Sequence, residues 1–120
     1  MSINQEVYQG LKKILVASGQ LDAVIDMFLS NSNNRLLALN DAIKAHDAEA
    51  IFRIAHAIKG SCSMLGGTKC AELCKAIEEG ANQSFATDVQ RLSDLLTNEL
   101  SEMSRFLLNE RGNGSTGCCE

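Results

Sequence analysis

Apolar residues recur at spacings of three and four along almost the whole chain, and this spacing is typical of α-helices that bury one face. The clearest stretch consists of Ile51, Ala55, Ile58, Cys62 and Leu65. The sequence also contains no proline, which would interrupt helices, and only 4% of its residues are aromatic, a class that favours strands. These features predict an all-α protein.

The interruptions of this pattern predict five helices joined by short connections. The first ends near residues 18–19, and the second continues through the polar run at residues 30–34, because the apolar positions resume there in a compatible phase. Asp47 is a favourable N-cap for the third helix, and the glycine pair at residues 66–67 ends it. Short connections between long amphipathic helices imply antiparallel neighbours, so the predicted arrangement is an up-down bundle.

The chain of 120 residues is long enough for one domain with its own core, which we expect to span residues 1–111. Residues 112–120 are rich in glycine and are predicted to form a flexible tail.

The net charge of −4 argues against nucleic acid as the main partner, because phosphate backbones call for a basic surface. No apolar run approaches the length of a membrane span, and the polar start lacks the features of a signal peptide. We therefore expect a cytoplasmic protein.

The five cysteines fit a reducing compartment. Cys62, Cys70 and Cys74 fall within the apolar helical pattern and are predicted to act as small core residues. A three-cysteine metal site is the alternative, but none of the usual Cys-x-x-Cys ligand pairs is present, so we expect no metal. Cys118 and Cys119 are adjacent in the tail and cannot easily bond to each other, and no role is assigned to them.

His56 and Gly60 are two residues of the third helix that its buried stripe does not explain. His56 lies at the edge of the stripe, and Gly60 follows one turn later on the same face, although glycine inside a helix costs about 1 kcal/mol relative to alanine. By their spacing, Arg53, Lys59 and Ser63 lie beside or above the imidazole. Neutral imidazole is a competent nucleophile near pH 7, and the two cations would help to hold a transferred phosphoryl group. The glycine would leave a gap through which a bulky partner reaches the ring.

Each of these residues also has a plainer interpretation. A lone histidine at the edge of a helix is more often a solvated or capping residue than a reactive one, and Arg53 and Lys59 are compatible with ordinary surface charges. Gly10 is a second glycine inside a helical pattern and has no explanation. His46 precedes the Asp47 cap and is expected to lie in a connection. No carboxylate pair, Ser-His-Asp arrangement or phosphate-binding glycine loop is present, so nothing indicates a self-sufficient enzyme.

The run from His56 to Gly66, HAIKGSCSMLG, resembles the signature of histidine phosphotransfer (Hpt) domains. That signature is a histidine, two residues, a lysine, then Gly-Ser-Ser or Gly-Ser-small, followed by an apolar residue and glycine. The likeness covers roughly residues 20–82. It implies an antiparallel up-down four-helix bundle with a short additional N-terminal helix. It also implies a protein that carries a phosphoryl group on histidine between response-regulator receiver domains, without an ATP site of its own.

The resemblance implies roles for the residues that match the motif. His56 matches the phospho-accepting histidine, whose Nε2 takes the phosphoryl group from an aspartyl phosphate. Lys59 matches the lysine that lies near the phosphoryl oxygens. Gly60 matches the small residue that lets the active site of the receiver reach the ring.

Other positions are expected to support transfer or docking. Ser61 and Ser63 lie in the serine-rich stretch of the family, where Cys62 replaces the usual second serine; this departure is mild, because position 62 is predicted as core. Glu78 falls where members often carry Gln or Glu close to the histidine. We assign supporting roles to Ser63 and Glu78, and to Arg53 because of its spacing from the histidine.

The partners implied by the resemblance are response-regulator receiver domains and a hybrid sensor histidine kinase. We expect a monomer with no cofactor of its own, to which the receiver brings Mg²⁺. The polar start at Met1 favours a stand-alone protein over the end of a hybrid kinase.

Two alternatives remain open. One is a kinase-fed domain such as the first domain of chemotaxis histidine kinases, whose usual dimerisation and ATP-binding sequence is missing here. The other is a plain helical interaction module in which His56 is incidental.

Overall fold

The computed structural model describes residues 3–83 and 87–111, and five α-helices make up nearly all of these two ranges. They are α1 (Gln5–Ser18), α2 (Leu21–Lys44), α3 (Ala48–Met64), α4 (Thr68–Gln83) and α5 (Thr87–Glu110). No strand occurs within the described ranges, and the all-α prediction is confirmed. The predicted flexible tail at residues 112–120 lies outside them.

The helices begin and end where the sequence supplies caps. The side chain of Asn4 accepts a hydrogen bond from the amide of Val7 (3.1 Å), and that of Asp47 accepts one from the amide of Ala50 (3.1 Å). Each cap satisfies an amide that the first turn of a helix leaves without an intrahelical partner. Gly19 ends α1 in the left-handed conformation, with φ 73°. The predicted Asp47 cap and the predicted end of the first helix are therefore confirmed.

The second helix passes through its polar run without a break, as predicted. Within that run Ser32 is buried, whereas Asn33 and Asn34 are exposed. The helix therefore keeps one inward face through the run, between the buried Phe28 and Leu39. Packing of this face outweighs the weak helix propensity of the asparagines.

The helices pack around one apolar core. α2 contacts α3, α3 contacts α4, α4 contacts α5, and α5 contacts α2. α1 packs on α2 and α3 and reaches α5 through Tyr8, whose ring meets that of Phe106 edge-on at 5.1 Å and whose hydroxyl donates to Glu110. The largest fully buried side chains of the core include Leu21, Ile25, Leu39, Ile51, Ile58, Leu65, Ile77, Leu96, Leu100, Met103 and Leu107. In the described ranges no helix is both long and apolar enough to cross a lipid bilayer.

Three cysteines are buried where α3 packs on α4, which confirms their predicted place in the core. They are Cys62, Cys70 and Cys74. Burial raises the pKa of the Cys74 thiol to about 12, and a hydrogen bond with Cys70 together with burial raises the pKa of Cys62. Both thiols are therefore protonated at physiological pH. No group of three or more His, Cys, Asp or Glu side chains in the described part of the chain is arranged to hold a metal ion.

The turn between α3 and α4 contacts the backbone that leads into α1. Gly66 lies in this turn with φ 83°, and its carbonyl accepts a hydrogen bond from the amide of Asn4 (2.6 Å). A Cβ atom at position 66 would lie 2.7 Å from the Asn4 carbonyl oxygen. Glycine is therefore required here by the left-handed backbone and by the close approach of a second backbone segment.

Replacing Gly66 with alanine should lower the free energy of unfolding by about 2 kcal/mol or more, because left-handed strain alone costs roughly 1–2 kcal/mol. The matched control is Gly60→Ala inside α3, where a Cβ would meet no atom within 4 Å. That substitution should raise the free energy of unfolding by up to about 1 kcal/mol. Urea denaturation followed by circular dichroism measures both. Equal stability of the two variants would contradict this account of the turn.

Candidate functional site

One face of α3 carries His56 out of the core and towards solvent. The side chain of His56 is 65% exposed. Its position follows from helical geometry, because each residue turns the helix by about 100° and position 56 lies one residue past the buried Ala55. The structure thus places His56 at the edge of the buried stripe, as the spacing predicted. An exposed ring at this edge has a fixed backbone beneath it and open solvent above it.

A single carboxylate from α4 holds both this histidine and the neighbouring lysine. Glu78 Oε2 lies 3.0 Å from His56 Nδ1, and Lys59 Nζ donates to Glu78 Oε1 at 3.0 Å. The side chain of Glu78 is only 9% exposed, so its position is fixed by packing. A carboxylate accepts hydrogen bonds, so the hydrogen of the neutral imidazole belongs on Nδ1. The lone pair of the ring is then on Nε2.

His56 lies between two surface grooves. The first, of about 270 Å³, is bordered by His56, Lys59, Gly60 and Ser63 of α3 and by Ala71, Glu72 and Lys75 of α4. The second, of about 570 Å³, lies towards the start of α3 and is bordered by Ala48, Glu49, Phe52, Arg53 and His56. A partner can therefore reach the imidazole along α3 from both directions.

Gly60 forms part of the first groove, one turn after the histidine. A Cβ atom at this position would meet nothing within 4 Å, so close packing of a neighbouring helix does not explain the glycine. The result is an open surface beside the ring. Gly10 in α1 has equally open surroundings, and the structure gives no reason for it.

The remaining predicted residues divide between the two grooves. Arg53 borders the second groove and Ser63 the first, and both are exposed. Neither takes part in the Glu78 pairings. Ser61 faces α2 instead, where its hydroxyl accepts a hydrogen bond from Arg35 (3.0 Å). The serine-rich stretch is thus split between the site and a contact between helices.

Glu78 has a more central place than the sequence indicated. It lies one turn after the buried Cys74, on the face of α4 that packs against α3. Its carboxylate consequently meets both His56 and Lys59. The sequence suggested only a minor supporting role for Glu78. Its contacts depend on the rotation of α4 relative to α3, which is set by packing between helices and cannot be seen in local sequence.

Phe52 and Lys75 border the grooves beside His56, and neither was predicted to belong to the site. The ring of Phe52 stacks on the imidazole, with centroids 6.1 Å apart and planes 6° from parallel. Lys75 borders the first groove from α4. The spacing of four between positions 52 and 56 could have indicated the first contact. The second depends on how α4 docks on α3, for which the sequence carries no local signal.

Residues 23–105, which contain every predicted site residue, match the family model of the Hpt domain. Among solved structures, the chain is similar to the crystal structure of histidine-containing phosphotransfer protein B (HptB) from Pseudomonas aeruginosa PAO1. The TM-score is 0.86, the sequences are 26% identical, and the similarity covers 92% of this chain and 94% of that chain. No curated protein sequence matches significantly. The family model covers all of α3 and α4 and most of α2 and α5.

Proposed function

The chain belongs to the Hpt domain family and has a phosphorelay histidine phosphotransfer role, and from this premise we propose that His56 is the residue that carries the phosphoryl group. It accepts the group from the aspartyl phosphate of one receiver domain and passes it to another. One observation carries this assignment: a largely exposed imidazole is held at Nδ1 by a buried carboxylate. That arrangement reserves Nε2 for the partner.

The proposed step is a nucleophilic displacement at phosphorus. The Nε2 lone pair of His56 forms the N–P bond as the P–O bond to the aspartate breaks, and the electron pair of that bond leaves with the receiver's carboxylate. The Nδ1 hydrogen stays on the ring, which gains positive charge. The Glu78 carboxylate at 3.0 Å stabilises that charge. Both carriers are high-energy phosphoryl compounds, so the reaction is reversible and partner concentrations set its direction.

Other residues of the two grooves complete the proposed site. Lys59 attracts the phosphoryl oxygens, and its tie to Glu78 keeps its ammonium group close to the ring. Gly60 leaves room for the receiver beside the imidazole. Arg53 and Ser63 border the approaches on either side and contribute to docking.

Hpt domain proteins are phosphocarriers rather than kinases, and they work with receiver domains and histidine kinases. For this chain we propose receiver domains and a hybrid sensor histidine kinase as partners. The receiver supplies Mg²⁺, and the chain acts as a cytoplasmic monomer without a cofactor of its own. Two features of the site support these roles. It offers a nucleophile, and it offers cations that suit an acidic receiver pocket holding a metal ion.

We also propose that α2 to α5 form the antiparallel up-down four-helix bundle predicted from the sequence, with α1 as the short additional N-terminal helix. Each of the four helices contacts the next, and α5 contacts α2. Three residues separate α2 from α3, and three separate α3 from α4. Connections of that length favour antiparallel neighbours.

Incubation with a phosphorylated receiver, and separately with a histidine kinase and ATP, tests the proposed function. We expect rapid labelling by the receiver and an acid-labile phosphate that mass spectrometry locates on His56. Labelling by the kinase with ATP but not by any receiver would instead support the kinase-fed alternative. No labelling from either donor would support the plain interaction module.

Replacing Glu78 with alanine should slow phosphotransfer about 10- to 100-fold, because a hydrogen bond to a charged group contributes roughly 1.5–3 kcal/mol. Glu78→Gln keeps an acceptor for Nδ1–H and should fall between the parent and the alanine variant. The matched control is Glu79→Ala, which removes the exposed carboxylate next along α4. Quench-flow kinetics with a phosphorylated receiver measure all three. Equal rates for the Glu78→Ala and Glu79→Ala variants would exclude Glu78 from transfer.

A further inference from the structure

Phe52 is a large aromatic side chain that the core does not account for. It is 38% exposed and lies off the buried stripe of α3. The two other described phenylalanines have structural places, since Phe28 is buried and Phe106 packs against Tyr8. Exposure alone means little, because single apolar residues are common on protein surfaces. What sets Phe52 apart is the residue that its ring contacts.

The ring of Phe52 lies parallel to the imidazole of His56, one helical turn away. The planes differ by 6° and the centroids are 6.1 Å apart, which is an offset stack within the usual range for aromatic pairs. The imidazole therefore has two neighbours of different kinds. Glu78 holds its Nδ1 edge, and Phe52 lies against one of its faces.

We propose that Phe52 is a positioning residue for phosphotransfer, which holds the imidazole in the orientation that presents Nε2 to the receiver. This inference rests on the proposed role of His56. The hydrogen bond at Nδ1 restrains one edge of the ring, but small coupled rotations about χ1 and χ2 can still tilt the ring while that bond is kept. A parallel ring at one face limits tilting towards that face. A nucleophile held near its attack geometry reacts faster than one that must be ordered in the transition state.

Phe52 also borders the second groove, together with Arg53, so simple docking is the competing explanation. The two explanations predict different kinetics. A docking residue changes the receiver concentration at which transfer is half-maximal. A positioning residue changes the maximal rate at saturating receiver, and it also changes the behaviour of the imidazole in the free protein.

The test compares three substitutions of Phe52 in the full chain with one control. Phe52→Ala removes the side chain, Phe52→Leu keeps apolar bulk without a ring, and Phe52→Tyr restores the ring. The control is Met64→Ala, at another exposed apolar residue of α3, 53% exposed and two turns beyond the histidine. Transfer from a phosphorylated receiver is measured over a range of receiver concentrations. Nitrogen-15 NMR of the His56 ring is recorded without any partner.

We expect Phe52→Ala and Phe52→Leu to lower the maximal transfer rate about 3- to 10-fold, which is the size expected for one aromatic pair. The half-saturating receiver concentration should stay within about twofold. The NMR signals should show a larger share of the tautomer protonated on Nε2. Phe52→Tyr should restore both properties, and Met64→Ala should change neither.

An unchanged maximal rate and unchanged ring signals in Phe52→Leu would overturn the proposal. A change confined to the half-saturating concentration would overturn it as well, in favour of docking. If phosphate were found on a residue other than His56, the proposed function would fail. The NMR comparison would still show whether Phe52 restrains the imidazole, so the two failures are distinguishable.

Discussion

The His56→Gln variant should accept no phosphoryl group from a phosphorylated receiver, while its free energy of unfolding stays within about 0.5 kcal/mol of the parent. Glutamine has no nucleophilic nitrogen. The amide of the glutamine can nevertheless donate a hydrogen bond to Glu78, the carboxylate that pairs with the imidazole in the parent protein. The exposed position of the ring means that little packing is lost. Receiver-dependent labelling and thermal melts of the same preparation measure the two properties.

The control for this experiment is His46→Asn, at the other of the two histidines of the sequence. His46 lies between α2 and α3 with φ 55°, as expected of a connection, and asparagine tolerates that left-handed conformation. This variant should be labelled at the parental rate. Retained labelling of His56→Gln would refute the assignment of the phospho-accepting residue. Unfolding of His56→Gln would show that the histidine is structural.

Changing Gly60 to glutamine should slow phosphotransfer by about 100-fold or more, because small displacements of reacting groups cost rates of that order. The long side chain would fill the open space beside the ring and stand between the imidazole and the receiver. Stability should stay equal or rise, because glycine is a poor residue inside a helix. Melting curves and a transfer time course on one preparation measure both effects.

Gly10→Gln is the matched control, because Gly10 also lies inside a helix with no atom near its Cβ position. Both substitutions should change stability alike, and only the one at position 60 should impair transfer. A Gly60→Gln variant that loses stability along with activity would indicate a packing role for the glycine. A variant with a parental rate would show that the receiver does not approach over this part of α3.

Local sequence signals predicted most of the helical fold. The cap at Asp47 and the stop at Gly19 were readable because each is a local interaction within a few residues. The continuity of α2 through residues 30–34 was also predictable, because its apolar phase persists on both sides. The contact of Gly66 with Asn4 could not be predicted from the sequence, because it joins segments that are far apart in the chain.

The candidate site likewise contains residues that local sequence predicted and residues that it did not. Helical spacing predicted His56, Lys59 and Gly60 on one face, since all three lie on α3. The central place of Glu78 and the turning of Ser61 towards α2 depend on how three helices are rotated against each other. Such rotations arise from packing of the whole core, and a single sequence carries no direct record of them.

The reactivity of the buried thiols between α3 and α4 can be used to measure how often these two helices separate. The thiolate is the species that reacts with alkylating reagents, and the pKa of Cys74, raised to about 12, leaves almost none at neutral pH. Alkylation of the buried cysteines therefore requires that the two helices separate. The same helices carry His56 and Glu78. With Cys118 and Cys119 changed to serine, the alkylation rate with and without receiver measures how firmly the reactive pair is kept assembled.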